Sequence, residues 1–314
     1  MRKDKEPSIG DVRQAKALAR RIIEHHFGNK PKRIVHQASG LSNFVFIVSH
    51  AEGGFVVRIS PDPTKINLYI KEQWAVGKAN EVGVPTSETL EVGNDIVPHP
   101  FMVSRVVKGR EATYHPERLS ILHEMGRFAA LINSIQTTGF GNIFDWSNNQ
   151  LSRNKTFKDF LHNELQIDAR LEVLKKHRMV SQEKLKELRL ILKRVTKKRL
   201  RPALNHGDIR LKNVMVDDDG KITAIIDLET CMSNLAPHWE LSLTLHDLSI
   251  DEKQEFLDGY RWTYKKLREI APVIKALNII NYAPHIENLI EANNKSQLEK
   301  YRARLGGALD LYSL

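Results

Sequence analysis

Apolar positions along this chain change rhythm several times, and each change marks an element. Asp11 to Phe27 places Val12, Ala15, Leu18, Ala19, Ile22, Ile23 and Phe27 on one helical face, with Gly28 behind it as a stop. Arg33 to Ala38, Phe44 to Ser49 and Gly54 to Ile59 are short β-branched or aromatic runs. Ser39-Gly40-Leu41-Ser42-Asn43 and His50-Ala51-Glu52-Gly53 separate them with turn chemistry, which predicts three antiparallel strands. A helical rhythm over Ile66 to Glu81 stops at Gly83-Val84-Pro85, and two further strand patterns follow, Thr89 to Val92 and Pro100 to Val107. From Glu117 onward the period is helical, with Leu122, Met125, Ala129, Ile132 and Ile135 on one face, interrupted by an extended stretch around Leu204 to Leu228. The expected architecture is α+β in two parts. Residues 1–107 hold a leading helix and a small antiparallel sheet with one internal helix, and residues 108–314 are mostly helical, with the boundary near Val107 to Gly109.

A chain of 314 residues is long enough for two lobes, each with a buried core. At 41% hydrophobic and 27% charged it has an ordinary globular composition. Its one cysteine, Cys231, allows no internal disulfide and reads as a packed small hydrophobe, which together with the lack of a long apolar run predicts a cytoplasmic protein with no membrane partner. The net charge of +10 is concentrated: residues 153 to 201 contain 16 Lys and Arg against 6 Asp and Glu. Leu161, Leu165, Ile167, Leu171 and Leu174, then Leu185, Leu188, Leu192 and Val195, recur there at helical spacing, predicting two amphipathic helices with basic solvent faces. Attraction of an anionic substrate and docking on nucleic acid or an anionic surface are the other readings. With only Phe157 and Phe160 available for stacking, nucleic-acid binding is the weakest.

Chemistry concentrates in residues 205 to 229, N-H-G-D-I-R-L-K-N-V-M-V-D-D-D-G-K-I-T-A-I-I-D-L-E. Val214 to Val216 and Ile222 to Ile226 flank the turn Asp217-Asp218-Asp219-Gly220, a β-hairpin in which residue numbers summing to roughly 439 face each other. Asn213 is thereby brought close to Asp227 at the open end. One amide oxygen and one carboxylate suit Mg²⁺, which takes its other ligands from water and substrate phosphates. Asp208, five residues earlier, would stand beside that metal as a carboxylate able to orient an attacking hydroxyl. Singly these are ordinary turn and strand-end residues; jointly they point to phosphoryl transfer.

His206-Gly207-Asp208, Asn213 and Ile226-Asp227-Leu228-Glu229 resemble the H-G-D-x-x-x-x-N and I-D-x-E motifs of the aminoglycoside phosphotransferase and choline kinase-like group, relatives of the protein kinases. Gly40-Leu41-Ser42-Asn43, Gly83-Val84-Pro85 and Gly139-Phe140-Gly141 are similar to further markers of that group. The resemblance implies a two-lobed protein kinase-like fold and a small-molecule kinase that moves the γ-phosphate of ATP or GTP, with Mg²⁺, to a hydroxyl of a small acceptor. It implies Asp208 as catalytic base, Arg210 on the leaving phosphoryl group, and Asn213 and Asp227 as metal ligands. On the nucleotide side it implies Ser42 and Asn43 in the covering turn, Arg58 on the phosphates with Glu72 as its partner, and the backbone from Ser104 to Val106 against the base. Many members of the group have Lys where this chain has Arg58. Glu240 stands in place of their usual Asp, a residue expected to hold the helix. A catalytically silent nucleotide sensor is the alternative, disfavoured because Asp208, Asn213 and Asp227 are all retained.

The acceptor stays open between an aminoglycoside-like antibiotic, a sugar, an amino-alcohol and related metabolites. Asp247, Asp251, Glu252, Glu255 and Asp258 could line a pocket for a polycation or form a solvated helix face. Trp239, Tyr260, Trp262, Tyr264 and Tyr282 could form a cage for a quaternary ammonium group or belong to the core.

Overall fold

The computed structural model describes residues 11–38, 43–145, 150–151, 154–198 and 201–305. Helix α1 (Val12–Phe27) begins where the Asp11 side chain accepts the Gln14 N–H at 2.8 Å and ends at the left-handed Gly28. Ala15, Ala19, Ile22 and Ile23 on its inner face are fully buried. They cover an antiparallel sheet of β1 (Arg33–Gln37), β2 (Phe44–His50), β3 (Gly53–Ile59), β4 (Thr89–Gly93) and β5 (Phe101–Arg105), in the order β1-β2-β3-β5-β4. The sequence pattern located all five strands, although β5 stops at Arg105 and leaves Val106 outside it.

Alternation divides the sheet into two faces. Phe46, Val48, Phe55, Val57, Ile59, Phe101 and Val103 are buried under α1. On the other face the cross-strand pairs Val35↔Ile47, Ile47↔Val56 and Val56↔Ser104 make one row, and Val45↔Arg58 and Arg58↔Met102 make the next. Val35 and Ile47 there remain 39% and 40% exposed, an apolar surface left open beside Arg58.

Helix α2 (Ile66–Glu81) crosses between the sheet and the helical half and is therefore buried on more than one side, at Tyr69, Lys71, Glu72, Ala75, Val76 and Ala79. Its Ala75, Val76 and Ala79 share a core with Leu122, Met125, Leu211, Val214 and Ile225 of the helical half. The chain after α2 also joins that half: Pro85 O accepts the Ile225 N–H at 2.8 Å.

The second half begins with β6 (Arg110–Glu111), α3 (Arg118–Ser134) and the short pair β7 (Phe144–Asp145) and β8 (Gln150–Leu151). Three helices, α4 (Phe157–Asn163), α5 (Ile167–Lys176) and α6 (Gln182–Val195), occupy the basic segment where two were expected. The extra break falls at Gln166, which is left-handed (φ 53°). Their leucines other than the exposed Leu190 are buried in a core shared with later helices, so the charges face outward as expected. Strands β9 (Pro202–Asn205), β10 (Val214–Val216), β11 (Ile222–Ile225) and β12 (Met232–Leu235) frame the chemistry-bearing stretch. Helices α7 (His238–Thr244), α8 (Ile250–Gly259), α9 (Tyr264–Asn281), α10 (Ala283–Glu291) and α11 (Lys295–Leu305) complete the half. Among the described residues no helix is long and apolar enough to cross a membrane.

Candidate active site

The β10–β11 hairpin closes in the expected register, Val214↔Ile225 and Met215↔Ala224, with a bulge before Val216. The Ile226 N–H donates to Asn213 O at 3.0 Å, so Asp227 is the first residue past the paired end. It adopts a left-handed conformation (φ 67°, ψ 57°), which aspartate tolerates better than most residues and which turns the chain into a 3-10 turn over Leu228–Thr230. Asn213 is buried, and its Nδ2 donates to Asp208 O at 2.8 Å and to Asp208 Oδ2 at 3.0 Å. The amide oxygen of Asn213 is thereby directed away from Asp208. Asp208 also receives Arg210 on Oδ1 and the Lys212 ammonium on Oδ2 at 3.1 Å, and its side chain is 17% exposed.

The loop carrying Asp208 is held from beneath. His206 is fully buried, and its Nδ1 accepts the Asp208 N–H at 3.3 Å, which leaves Nε2 to donate to Ile226 O at 3.2 Å. Burial lowers the imidazole pKa against the pull of Asp227 and Asp208, in keeping with a neutral ring. Gly207 is left-handed (φ 82°), and a Cβ there would lie 2.6 Å from Thr230 O, so the loop needs glycine at this point. Glu240, at the start of α7 and fully buried, accepts the His206 N–H at 2.5 Å and the Gly207 N–H at 3.2 Å. Its own N–H donates to Asn205 Oδ1 at 3.1 Å. Burial pushes its carboxyl up to about 7 despite those hydrogen bonds. The expectation that Glu240 holds its helix is corrected: its carboxylate holds the backbone of the catalytic loop.

Across the cleft, the Arg58 guanidinium meets Glu72 at 2.5 Å and lies 5.2 Å from the Tyr69 ring centroid. Burial works most strongly against the charge on Arg58, but Glu72, Tyr69 and Asp227 together outweigh it and hold the guanidinium pKa above its ordinary value. Burial likewise pushes the Glu72 carboxyl up, and Arg58 counters this in part. Two lysines of the same region reach the turn after Asp227. Lys65 Nζ meets Glu229 at 2.5 Å, and Lys71, 1% exposed, donates to Cys231 O at 3.0 Å.

The sequence profile of the phosphotransferase enzyme family matches residues 11–272. The chain belongs to this family. No curated protein matches it in sequence. Among solved structures, the aminoglycoside phosphotransferase APH(4)-Ia superimposes with a TM-score of 0.67 at 16% identity, over 92% of this chain and 96% of that one. A thermostable mutant of the same enzyme, in ternary complex with ADP and hygromycin B, gives 0.65 at 17% identity over 91% and 96%. The GDP and kanamycin complex of a 2″-phosphotransferase gives 0.60 at 14% identity over 90% and 95%. At these identities the likeness establishes the kinase-like α+β fold.

In this phosphotransferase-family fold the remaining expected residues fall as follows. Ser42 lies outside the described residues. Asn43 precedes β2, and its Oδ1 is buried with no hydrogen-bond partner among the described residues. Ser104 shares the sheet face of Arg58, whereas the Val106 N–H is engaged by Gly54 O at 2.9 Å and is not free to meet a base. Of the aromatic side chains suggested as a cage, Tyr260 and Trp262 meet edge-on at 6.1 Å, but the set is scattered. Trp239 packs edge-on against Phe160, Tyr260 donates to Asn133 at 2.8 Å, and Tyr264 is 76% exposed. The acidic run is the solvated side of α8: Glu252 pairs with Arg118 and caps its own helix, Glu255 lies 3.5 Å from His123, and Asp258 accepts from Gln254 at 2.8 Å. Sequence reasoning missed the exposed row Val35, Ile47 and Val56, which strand alternation reveals, and Lys212, which stands four residues after Asp208.

Proposed function

We propose that this chain is a small-molecule kinase that transfers the γ-phosphate of ATP or GTP to a hydroxyl group of a small acceptor. The observation carrying this reading is the joint placement of Asp208, Asn213 and Asp227, with the Asn213 amide fixing the Asp208 carboxylate beside a left-handed Asp227. Val35, Ile47 and Val56 offer an apolar ceiling for the purine ring, and Arg58, steadied by Glu72, faces the same cleft to meet its phosphates.

Asn213 Oδ1 and the Asp227 carboxylate are hard oxygen donors, and two protein oxygens suit a cation that draws its other ligands from phosphates and water. These residues would hold Mg²⁺, which supplies neutralisation of charge on the transferring phosphoryl group. Asp208 orients the acceptor hydroxyl and accepts its proton as the oxygen attacks phosphorus. Arg210 swings from Asp208 to the phosphoryl oxygens, where a guanidinium stabilises charge developed in transfer. Two of the solved structures named above hold ADP or GDP together with an aminoglycoside, which supports the nucleotide and a hydroxylated acceptor more than any one acceptor.

The test is nucleotide binding and phosphate transfer with Mg²⁺, for wild type and Asp208→Asn. Transfer is expected to fall about 100-fold or more in the variant, with nucleotide affinity retained. Equal nucleotide binding with no transfer by either protein would mean a nucleotide sensor; no nucleotide binding at all would refute the reading.

A further inference from the structure

The charges around Asp208 bear on which acceptor the site takes, given the proposed role of Asp208. Both of its carboxylate oxygens contact cations, Arg210 on Oδ1 and Lys212 on Oδ2, and those side chains are 38% and 48% exposed. Oδ2 already accepts from Asn213 Nδ2 as well as from Lys212, so an incoming hydroxyl, at about 2.8 Å, takes the open side of Oδ1. With Lys212 Nζ 3.1 Å from Oδ2, the acceptor hydroxyl lies within about 8 Å of that ammonium. Arg210 has a use of its own in transfer, on the phosphoryl oxygens. Lys212 then faces the acceptor.

Beyond Asp208 and Asp227, the carboxylates that might offset this charge are committed elsewhere. Glu229 meets Lys65, Glu72 meets Arg58, and Glu240 is spent on the loop backbone. On α8, Glu252 and Glu255 pair with Arg118 and His123 of α3, against which the helix is packed so closely that a Cβ on Gly259 would lie 1.7 Å from His123 O.

We infer that the acceptor carries an anionic group, a carboxylate or a phosphate, close to the hydroxyl that is phosphorylated, and that Lys212 selects it. The acceptor class is a hydroxy acid, sugar acid or phosphorylated alcohol in place of a polyamine. Lys212 is a specificity residue: it pairs with the anion as the acceptor enters and so adds to binding. It takes no part in moving the phosphoryl group, whose bond to the donor breaks as the bond to the acceptor oxygen forms and whose displaced proton goes to Asp208.

The experiment is ADP release with matched acceptors at fixed ionic strength: glycerol, glycerate and glycerol 3-phosphate; glucose, gluconate and glucosamine; and kanamycin. Lys212→Met and Lys212→Glu are measured alongside wild type. In wild type kcat/KM is expected to be at least about tenfold higher for the anionic members than for the neutral ones, the scale of one charge-assisted contact. Lys212→Met should erase most of that ratio in kcat/KM between anionic and neutral acceptors, and Lys212→Glu should move preference toward the amino sugars. Highest efficiency with kanamycin or a neutral member, or an anion preference untouched in Lys212→Met, overturns the inference. Transfer to none of them with Mg-nucleotide bound overturns the kinase reading beneath it, a separate failure.

Discussion

Replacing Glu240 by glutamine puts an amide NH₂ where one of two carboxylate oxygens now accepts a backbone N–H. Whichever way the amide turns, either His206 N–H or Gly207 N–H faces a donor. Leaving one buried N–H unsatisfied costs about 1–3 kcal/mol. The opposing effect is the cost of burying the carboxylate. Burial is its largest cause, the negative Asp208 adds to it, and together they raise the carboxyl from 4.5 to about 7. That difference corresponds to about 3 kcal/mol. Between these values the folded state holds a proton that the unfolded state has released, so stability falls as pH rises from 4.5 through 7 and the loss is complete above 7. Wild type should therefore lose stability from pH 5 to pH 8 by about 2.5 kcal/mol more than Glu240→Gln, whose side chain does not titrate. Urea unfolding midpoints for both proteins at several pH values give the difference directly, other titrating groups being common to both. The variant should also transfer phosphate about 10- to 100-fold more slowly, since a loop displaced by about 1 Å costs that much. Parallel stability profiles, or an unchanged kcat in the variant, would refute the assignment of Glu240 as anchor of the loop.

Two further outcomes are expected. Gly207→Ala combines a left-handed backbone with a Cβ 2.6 Å from Thr230 O and should destabilise by about 2–3 kcal/mol, read as a lowered Tm together with reduced transfer. Arg58→Met leaves the Glu72 carboxylate buried without its cation and should cost about 3–5 kcal/mol. Adding Glu72→Met should restore stability in urea unfolding without restoring nucleotide affinity, and recovery of both would show that Arg58 serves packing alone.

Elements whose signals are local were legible in the sequence. The Asp11 cap and Gly28 stop bound α1, apolar spacing placed α2 at Ile66–Glu81, and the hairpin sum of 439 held at Val214 and Met215. Asn213 and Asp227 followed from that register. Glu240 did not, because its partners lie more than 30 residues away and a side chain bonded to remote backbone amides leaves no periodic trace. Gln166 breaks the first basic helix with neither glycine nor proline to announce it. The acidic run around α8 was ambiguous because charge spacing alone cannot distinguish a lined pocket from caps and ion pairs; the contacts with Arg118 and His123 decide it.

The anchoring of α2 bears on how the cleft moves. Its apolar side belongs to the core of the second half, Lys65 and Lys71 fasten its start and middle to the turn after Asp227, and Pro85 just beyond its end is bonded to Ile225. A hinge at residue 107 would have to break all of these together. Arg58 belongs to the sheet under α1 and Glu72 to a helix fastened to the turn after Asp227, so their ion pair bridges the join between these two bodies. Their separation would register any displacement of one against the other, and a probe pair across β3 and α2 reads it directly.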